Sequence, residues 1–199
     1  MKIFNFFLIS DYKKENHKFM ATEDKKKAVK ESLITYKPIG IVHSGHTVQE
    51  DTPIQGIFND SKGTVEVFEE YAEGLIDIEK FTHLILLYHF DRSTGSEIIR
   101  KPFLDEEKDR GIFSIRHFNR PNPIGFSIVS LYSVKGNILE IGAVDILDGT
   151  PVIDIKPYVY QFDHREEVKS GWVDNTHVDE IAGWNATPKG LRNTERTNL

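Results

Sequence analysis

Two stretches of alternating apolar and polar residues, 126–134 and 137–144, are separated only by Lys135 and Gly136. Alternation of this kind is typical of β-strands, in which successive side chains point to opposite faces. A two-residue connection that contains glycine commonly joins neighbouring antiparallel strands. The two stretches therefore predict a β-hairpin, which makes an antiparallel sheet the framework of the chain.

Further short strands are predicted on both sides of this hairpin. The stretch 63–68 alternates, 39–44 is rich in β-branched residues, and the apolar run 81–90 has the length of a buried central strand. Strands are also predicted at 111–116 and 151–158. Because tight turns separate these strands and helical patterns are few, the sequence predicts a mainly β protein. Its fold is expected to be a single antiparallel β-barrel-like domain with few short helices.

The barrel-like domain is predicted to span residues 36–163, between two extensions. Residues 1–35 form a polar N-terminal extension, whose lysine-rich part predicts a short helix or a loose arm. Residues 164–199 form a C-terminal extension. Met20 opens a segment that resembles an ordinary protein start, so the residues before it are expected to be an extension or a misassigned start.

Composition and charge limit the classes of function. The chain has no cysteine, which excludes disulfides and thiolate metal sites and is consistent with a cytoplasmic location. The net charge of −6 argues against broad nucleic-acid binding. The basic residues are nevertheless concentrated in 1–37 and 92–122, so a local patch could contact phosphates. The apolar run 3–9 is too short to span a bilayer, and no membrane association is predicted.

Common catalytic motifs are missing from the sequence. No glycine-rich phosphate-binding loop follows a predicted strand, and the Leu-Glu-Ile-Gly stretch at 139–142 lacks the further glycines of a Rossmann cofactor loop. No histidine pair has zinc-binding spacing with a nearby acid, so no metal site is predicted. No serine lies in the strand–turn–helix elbow of a nucleophile.

Polar residues are dense in 145–158, which reads Asp-Ile-Leu-Asp-Gly-Thr-Pro-Val-Ile-Asp-Ile-Lys-Pro-Tyr. Its carboxylates Asp145, Asp148 and Asp154 cannot all point into an apolar core, because an unpaired buried charge is costly. A strand, a sharp turn and a second strand would bring Asp148 and Asp154 near one another at a rim. The stretch is therefore either part of a functional site or a hairpin whose aspartates cap turns and face water.

A second unusual turn is Arg-Pro-Asn-Pro-Ile-Gly at 120–125. The prolines on both sides of Asn122 restrict its backbone severely. Such stiffness is typical of a structural corner and equally of a preorganised site, and spacing alone does not decide between them.

Six segments in a fixed order resemble the TsaA-like proteins, the tRNA methyltransferases that act on N6-threonylcarbamoyladenosine beside the anticodon. The segments are Lys-Pro-Ile-Gly at 37–40, Pro-Ile-Gln at 53–55, Phe-Thr-His at 81–83, Gly-Ile-Phe-Ser-Ile-Arg at 111–116, Arg-Pro-Asn-Pro-Ile-Gly at 120–125, and the stretch 145–158. The resemblance covers roughly residues 36–163.

The resemblance implies a β-barrel-like domain that binds S-adenosyl-L-methionine without a Rossmann fold. It also implies tRNA as the partner, a homodimer with the cofactor near the subunit interface, and a reaction that needs no metal. The cofactor-binding residues that it implies are Pro53, Ile54, Gln55, His83, Arg116, Phe126, Leu147, Asp148, Gly149 and Thr150.

Methyl transfer requires that donor and acceptor be held in line, and an adenine nitrogen is a poor nucleophile unless a neighbouring group accepts its hydrogen. The candidate catalytic groups for that task are Asp148, Asp154 and the backbone carbonyl of Asn122. Three residues are candidates for binding the substrate. The basic side chains of Arg120 and Lys156 could contact phosphates, and the ring of Tyr158 could stack on a base.

The chain departs from the family pattern in two segments. Ile54 stands where the family usually has arginine, and Phe-Ser-Ile-Arg-His-Phe at 113–118 stands where it usually has Phe-Ala-Thr-Arg-Ser-Pro, so that Phe118 replaces a proline. The residues after Asp163 are also too few for the further C-terminal domain that bacterial members often carry. These departures leave two alternatives open: an enzyme that uses the same cofactor on another RNA or a small molecule, and a non-catalytic cofactor-binding regulatory protein.

Overall fold

The structure is a computed structural model, and it describes residues 22–105 and 107–176. The chain divides into two units, Met1–Tyr36 and Lys37–Leu199. In the first unit, helix α1 (Thr22–Glu31) is polar and has no buried residue, so the lysine-rich stretch adopts the first of its two predicted forms, a short helix, and not a loose arm. The expected start at Met20 lies outside the described residues.

The second unit is built around a closed antiparallel barrel of six strands. The barrel strands are β1 (Gly40–Ser44), β2 (Lys62–Val67), β3 (His83–His89), β6 (Ile124–Lys135), β7 (Ile138–Gly142) and β8 (Pro151–Pro157). They pair in the order β1-β2-β7-β6-β3-β8, and β8 closes the ring on β1. Closure leaves none of the six strands as an edge. The predicted mainly β, barrel-like fold is confirmed.

Short elements lie between the barrel strands. Strands β4 (Ile99–Arg100) and β5 (Arg110–Gly111) form a separate two-stranded sheet, and helix α2 (Tyr160–Asp163) follows β8. The 3₁₀ helices are Gln49–Asp51, Gly56–Phe58, Glu69–Leu75, Ile78–Lys80, Ile112–Ser114 and Gly171–Asn175. Over residues 22–105 and 107–176, no helix is long and apolar enough to cross a membrane.

The predicted hairpin is formed by β6 and β7. Lys135 pairs with Ile138, and Gly136 in the connection has a φ of 62°, in the left-handed region that favours glycine. The inward side chains of β6 and β7 include Val129, Leu139 and Ile141, which are fully buried in the barrel core. Burying a side chain of this size contributes about 1.5–3 kcal/mol, so the barrel is a rigid support for the loops at its ends.

The strand predicted at 111–116 is wrong. Only Arg110–Gly111 extends as β5, and Ile112–Ser114 forms a 3₁₀ turn. The backbone N–H of Ile115 donates to the carbonyl of Ile112 at 3.4 Å, and both isoleucines are buried. Apolar residues three positions apart lie on the same side of such a turn, which is why burial selects it over an extended strand here.

The first strand predicted within 145–158 is also wrong, because β7 ends at Gly142 and the next strand is β8. Strand β8 pairs with β1 and β3 instead of folding back on the residues before it. The segment 143–150 is a loop whose carboxylates bind backbone groups of distant segments: Asp145 accepts from Gly56, and Asp148 accepts from Ser44.

Candidate functional site

A cavity of about 1000 Å³ lies within the second unit, where β3 ends and β6 begins. Its lining comes from five stretches of chain: 49–58, 88–93, 102–126 in part, 145–150 in part, and 170–173 in part. Most of these stretches are loops fixed by the barrel strands, which is the usual place for a site on a rigid scaffold. A second depression of about 900 Å³ over β1, β2 and β7 is more open to solvent and includes none of the predicted site residues.

The cavity brings together most of the residues predicted from the sequence. Those that line it are Pro53, Ile54, Gln55, Arg116, Arg120, Asn122, Phe126, Leu147 and Thr150. Asp148 and Gly149 are next to lining residues in the chain, whereas His83, Asp154, Lys156 and Tyr158 do not line the cavity. The roles assigned to all of these residues stay predictions.

Arg116 and the loop at 53–55 meet on one side of the cavity. The guanidinium of Arg116 donates to Oε1 of Gln55 at 3.0 Å and lies 5.8 Å from the centre of the Phe126 ring. The amide of Gln55 also donates to the carbonyl of Ile54 at 2.7 Å. A guanidinium held by an amide and an aromatic ring retains N–H donors suited to a carboxylate, so this corner can bind an acidic ligand group.

A partly buried carboxylate, Asp145, also lines the cavity, next to the end of this loop segment. Its Oδ1 accepts the hydroxyl of Ser127 at 2.6 Å, and its Oδ2 accepts the backbone N–H of Gly56 at 2.8 Å. Burial raises the pKa of the Asp145 carboxyl above its ordinary value, and these two hydrogen bonds, a third from its own backbone N–H and the Arg116 charge partly oppose that rise. A Cβ at Gly56 would come within 2.2 Å of the Ala143 carbonyl, so only glycine permits this approach.

Two buried hydroxyl groups extend from Asp145. The phenol of Tyr88 lies 3.0 Å from Oγ of Ser127, and both side chains are buried. Burial, reinforced by the charge of Asp145, raises the pKa of the Tyr88 phenol, which keeps it protonated at neutral pH. Tyr88 pairs with Gly125 between β3 and β6.

Four rings form a continuous aromatic wall along the cavity: Phe90, Phe103, His117 and Phe118. The His117 ring lies between Phe103 and Phe118, with ring centres 5.1 Å and 4.1 Å away. Its Nδ1 accepts the backbone N–H of Asn119 at 3.0 Å, and within the described residues its Nε2 has no hydrogen-bond partner. Burial, aided by the charge of Arg100, lowers the pKa of His117 to about 4, so the ring is neutral at physiological pH.

Other predicted polar groups form hydrogen bonds or ion pairs with neighbouring residues. The carbonyl of Asn122 accepts the N–H of Ile124 at 2.8 Å, and Arg120 donates to the carbonyl of Ile115 at 3.0 Å. Asp154 is paired with Lys156 at 2.6 Å. These contacts give each group a structural task in addition to any role in binding.

Three remaining predicted residues also have described partners. Asp148 accepts the N–H of Ser44 at 3.1 Å through Oδ1, and its carbonyl accepts from Arg92 at 2.5 Å. The ring of His83 contacts the edge of Tyr158 at a centroid distance of 6.3 Å.

Four lining or neighbouring residues were not among the predicted site residues: Tyr88, Ser127, His117 and Asp145, the last of which was placed only in a stretch that is either a site or a turn-capping hairpin. One of them, Ser127, could have been found from the alternation of inward and outward side chains along a strand. Ser127 lies two residues from the core residue Val129 on β6, so its hydroxyl had to point inward with the apolar side chains. A polar group at a core position needs a buried partner, which here is Asp145.

The chain matches the tRNA-methyltransferase O N-terminal domain family over residues 41–164. A probable S-adenosyl-L-methionine-binding protein from Pyrococcus abyssi is 54% identical over 152 residues, which cover 75% of this chain and 82% of that protein. The tRNA (adenine(37)-N6)-methyltransferase of Escherichia coli is 30% identical over 161 residues, which cover 76% of this chain and 68% of that enzyme.

A solved structure supports the same relationship. A crystal structure of TrmO matches with a TM-score of 0.63 and 31% identity, over 70% of this chain and 64% of that chain. This chain therefore spans slightly less than two thirds of the length of that solved protein. Five of the six segments that resemble TsaA-like proteins lie within the matched region, and the sixth, at 37–40, ends directly before it. The sequence match, the identity to relatives and the shared barrel together show that the chain belongs to the TrmO family.

Proposed function

We propose that this protein is an S-adenosyl-L-methionine-dependent tRNA methyltransferase that methylates N6 of threonylcarbamoyladenosine next to the anticodon. The observation that carries the proposal is the cavity, which combines the Arg116–Gln55 corner, the aromatic wall and the Asp145 carboxylate in one space. Relatives of this chain include an enzyme that acts on the N6 group of adenine 37 in tRNA and proteins that bind the same cofactor.

The residues of the cavity fit the charges and shape of this cofactor. In the described part of the chain, Arg116 has no carboxylate within 4.0 Å of its guanidinium, so it can pair with the carboxylate of a ligand. The aromatic wall offers flat apolar faces to an adenine ring. When bound, the cofactor would supply an electrophilic methyl group carried on a positively charged sulfur.

The chain's own residues then have three tasks. Arg116 and Gln55 would hold the carboxylate end of the cofactor, and the loop at 145–150 would close another part of the cavity. The aromatic wall excludes water and orients the adenine rings, because stacked rings leave few alternative positions. Positioning of this kind can be worth roughly 7–11 kcal/mol of the barrier to transfer.

Basic residues near the cavity support tRNA as the partner in spite of the net charge of −6. Arg92, Arg116 and Arg120 line the cavity itself, and Arg92 is about half exposed. Positive side chains beside a cavity favour a polyanionic ligand through phosphate contacts that weaken with added salt. Membership of the tRNA-modifying family also supports the proposed cytoplasmic location.

A homodimer forms part of the proposal. Ile124, Phe126 and Ile128 alternate along β6 on the outer face of the barrel, with exposed fractions of 39%, 44% and 41%. They pair with His89, Leu87 and Ile85 of β3. An apolar strip of this kind is suited to a second copy of the chain, and Phe126 also lines the cavity, so the partner would cover its edge.

The oligomeric state is tested with Ile128→Lys, which places a charge in the middle of this strip. Analytical ultracentrifugation should show a dimer for the wild-type chain and a monomer for the variant. A wild-type chain that sediments as a monomer at high concentration would exclude the dimer.

The enzymatic proposal is tested by incubating the chain with isotopically labelled S-adenosyl-L-methionine and tRNA from cells that lack the homologous activity. Label should enter the tRNA and should be found in the modified adenosine after digestion to nucleosides. Cofactor binding in calorimetry without label in any RNA would contradict the proposal and favour the regulatory alternative.

A further inference from the structure

A carboxylate and two hydroxyl groups form a continuous hydrogen-bonded chain beside the cavity. Tyr88 and Asp145 both line the cavity, and Ser127 connects them through distances of 3.0 Å and 2.6 Å. The three residues come from β3, from β6 and from the loop before β8. Buried polar groups of this kind are costly unless each is satisfied, so their arrangement at a cavity requires an explanation.

The direction of each hydrogen bond follows from the number of protons available. When Asp145 is ionised it has no proton to give, so Ser127 donates its single hydroxyl proton to Asp145. Ser127 can therefore only accept from Tyr88, whose phenol is protonated. The chain of donors runs from Tyr88 through Ser127 to Asp145 and ends at a group that only accepts.

Asp145 retains unused acceptor capacity at the cavity. Its carboxylate accepts three described hydrogen bonds, from Ser127, from the N–H of Gly56 and from its own backbone N–H, while an ionised carboxylate can accept about four. The bonds from Ser127 and Gly56 fix the plane of the carboxylate, because one partner belongs to a barrel strand and the other to a backbone that only glycine allows. The remaining acceptor capacity is thus held in a fixed direction beside the space that a ligand would fill.

We propose that Asp145 is the catalytic residue that accepts the proton of the acceptor nitrogen, and that Ser127 and Tyr88 are positioning residues for it. This assignment rests on the proposed function. The acceptor nitrogen forms its bond to the methyl carbon as its N–H proton moves to Asp145. The electron pair of the broken carbon–sulfur bond stays on sulfur, so the cofactor leaves as a neutral thioether and Asp145 later releases its proton to water.

The geometry favours Asp145 over the groups that the sequence suggested. Asp148 uses Oδ1 to hold the N–H of Ser44, Asp154 is paired with Lys156, and neither lines the cavity. Asn122 does line it, but its carbonyl already accepts the N–H of Ile124, and a neutral carbonyl cannot take up a proton near neutral pH. The raised pKa of Asp145 also brings it closer to the range in which a carboxylate is an effective proton acceptor.

The test compares Asp145→Asn with the matched control Asp77→Asn. The amide at position 145 can still accept from Gly56 and can donate to Ser127, so the fold should be retained. Asp77 is exposed, lies outside the cavity and has a φ of 71°, which asparagine tolerates well. The readouts are methyl transfer to tRNA at saturating substrate, KM for tRNA, and cofactor affinity by calorimetry.

We expect Asp145→Asn to lower kcat about 10²–10⁴-fold, with KM for tRNA and cofactor affinity unchanged. Asp77→Asn should match the wild type in all three. Wild-type kcat in Asp145→Asn overturns the assignment and leaves the proposed function intact. Loss of cofactor binding in that variant also overturns it, because the residue would then be part of the binding site. A wild-type chain that methylates no tRNA overturns both proposals.

A pH profile distinguishes a proton acceptor from a residue that only supports the site. If ionised Asp145 is required, kcat should rise with pH through the pKa of this group and then level off. The charged or titratable groups that face it are Arg116, which lowers its pKa, and Tyr88, which stays protonated in this range. In Asp145→Asn, kcat should not increase with pH over this interval.

Ser127→Ala removes the strongest hydrogen bond that lowers the pKa of Asp145. The rise in kcat should therefore move to higher pH in this variant, while cofactor affinity is retained. An unshifted profile in Ser127→Ala would overturn the positioning role of Ser127. A pH-dependent rise that persists in Asp145→Asn would overturn the role of Asp145.

Discussion

The ring of Tyr88 lies directly over the backbone of Gly125, so that a Cβ at this glycine would come within 2.0 Å of the ring. The two residues are paired between β3 and β6, at the position where the cavity meets the barrel. The glycine that ends the Arg-Pro-Asn-Pro-Ile-Gly turn therefore makes room for the tyrosine that binds Ser127.

Gly125→Ala should destabilise the protein by about 1–3 kcal/mol, because either the Tyr88 ring or strand β6 must move to relieve the overlap. Denaturant unfolding measures the change. Gly74→Ala is the matched control, since nothing lies within 4 Å of a Cβ built at that position. Equal stability of the two variants would contradict the close packing of Tyr88 on Gly125.

Asp145→Asn should be at least as stable as the wild type at neutral pH. Burial raises the pKa of Asp145 in the folded state above its value in the unfolded chain, so the ionised carboxylate destabilises the fold. That destabilisation is absent below the pKa that the Asp145 carboxyl has in the unfolded chain. It grows as pH rises through the higher pKa that the carboxyl has in the folded protein. Free energies of unfolding measured from pH 4 to pH 8 should show that the variant gains stability over the wild type as pH rises. A variant that loses stability relative to the wild type as pH rises would contradict a destabilising effect of ionised Asp145.

The neutral, buried His117 should make the protein less stable in mild acid. Its pKa is lowered to about 4, chiefly by burial, so its stabilising contribution is complete above the ordinary histidine pKa of about 6.5 and is lost as pH falls towards 4. A shift of this size corresponds to an effect on the order of 3 kcal/mol. His117→Gln, which can still accept from Asn119, should show a shallower loss of stability over this interval.

The control for this measurement is His164→Gln, because His164 is stacked on Tyr160 outside the cavity. Its stability should follow the wild type across the same pH interval. If His117→Gln also follows the wild type, then His117 is not the group responsible for the loss in acid.

Arg116→Lys should weaken cofactor binding about tenfold, which is equivalent to about 1.4 kcal/mol. Lysine keeps the charge but cannot donate to Gln55 and to a ligand carboxylate in the fixed plane of a guanidinium. Calorimetry with S-adenosyl-L-methionine measures the change. The control Arg165→Lys lies outside the cavity and should bind the cofactor as the wild type does. Unchanged affinity in Arg116→Lys would show that Arg116 does not take part in cofactor binding.

Local patterns were sufficient to predict the barrel. The Lys135–Gly136 connection, the alternation around it and the apolar run at 81–90 each depend on neighbouring residues in the chain, and all three are confirmed as β6–β7 and β3. The error at 112–115 has a local cause as well. The segment 111–116 has two isoleucines three positions apart, Ile112 and Ile115. This spacing fits an extended strand and a 3₁₀ turn equally well until the burial of both side chains is known.

The arrangement around Asp145 could not be predicted in the same way. Its partners Ser127 and Gly56 are 18 and 89 residues away in the sequence, and only closure of the barrel brings them together. Asp148 and Asp154 lie in the same sequence stretch as Asp145, yet their side chains bind other groups because β8 pairs with β1 and β3. Sequence spacing indicated this segment but could not tell which of its three carboxylates lines the cavity.

The central claim is that the cavity transfers a methyl group to one adenosine of tRNA. The most direct test treats unmethylated tRNA with the chain and the cofactor, cuts the product with a base-specific ribonuclease, and locates the new mass by fragment mass spectrometry. We predict one added methyl group on the modified adenosine next to the anticodon and none elsewhere. A methyl group at another position, or none in a chain that binds the cofactor, would contradict it.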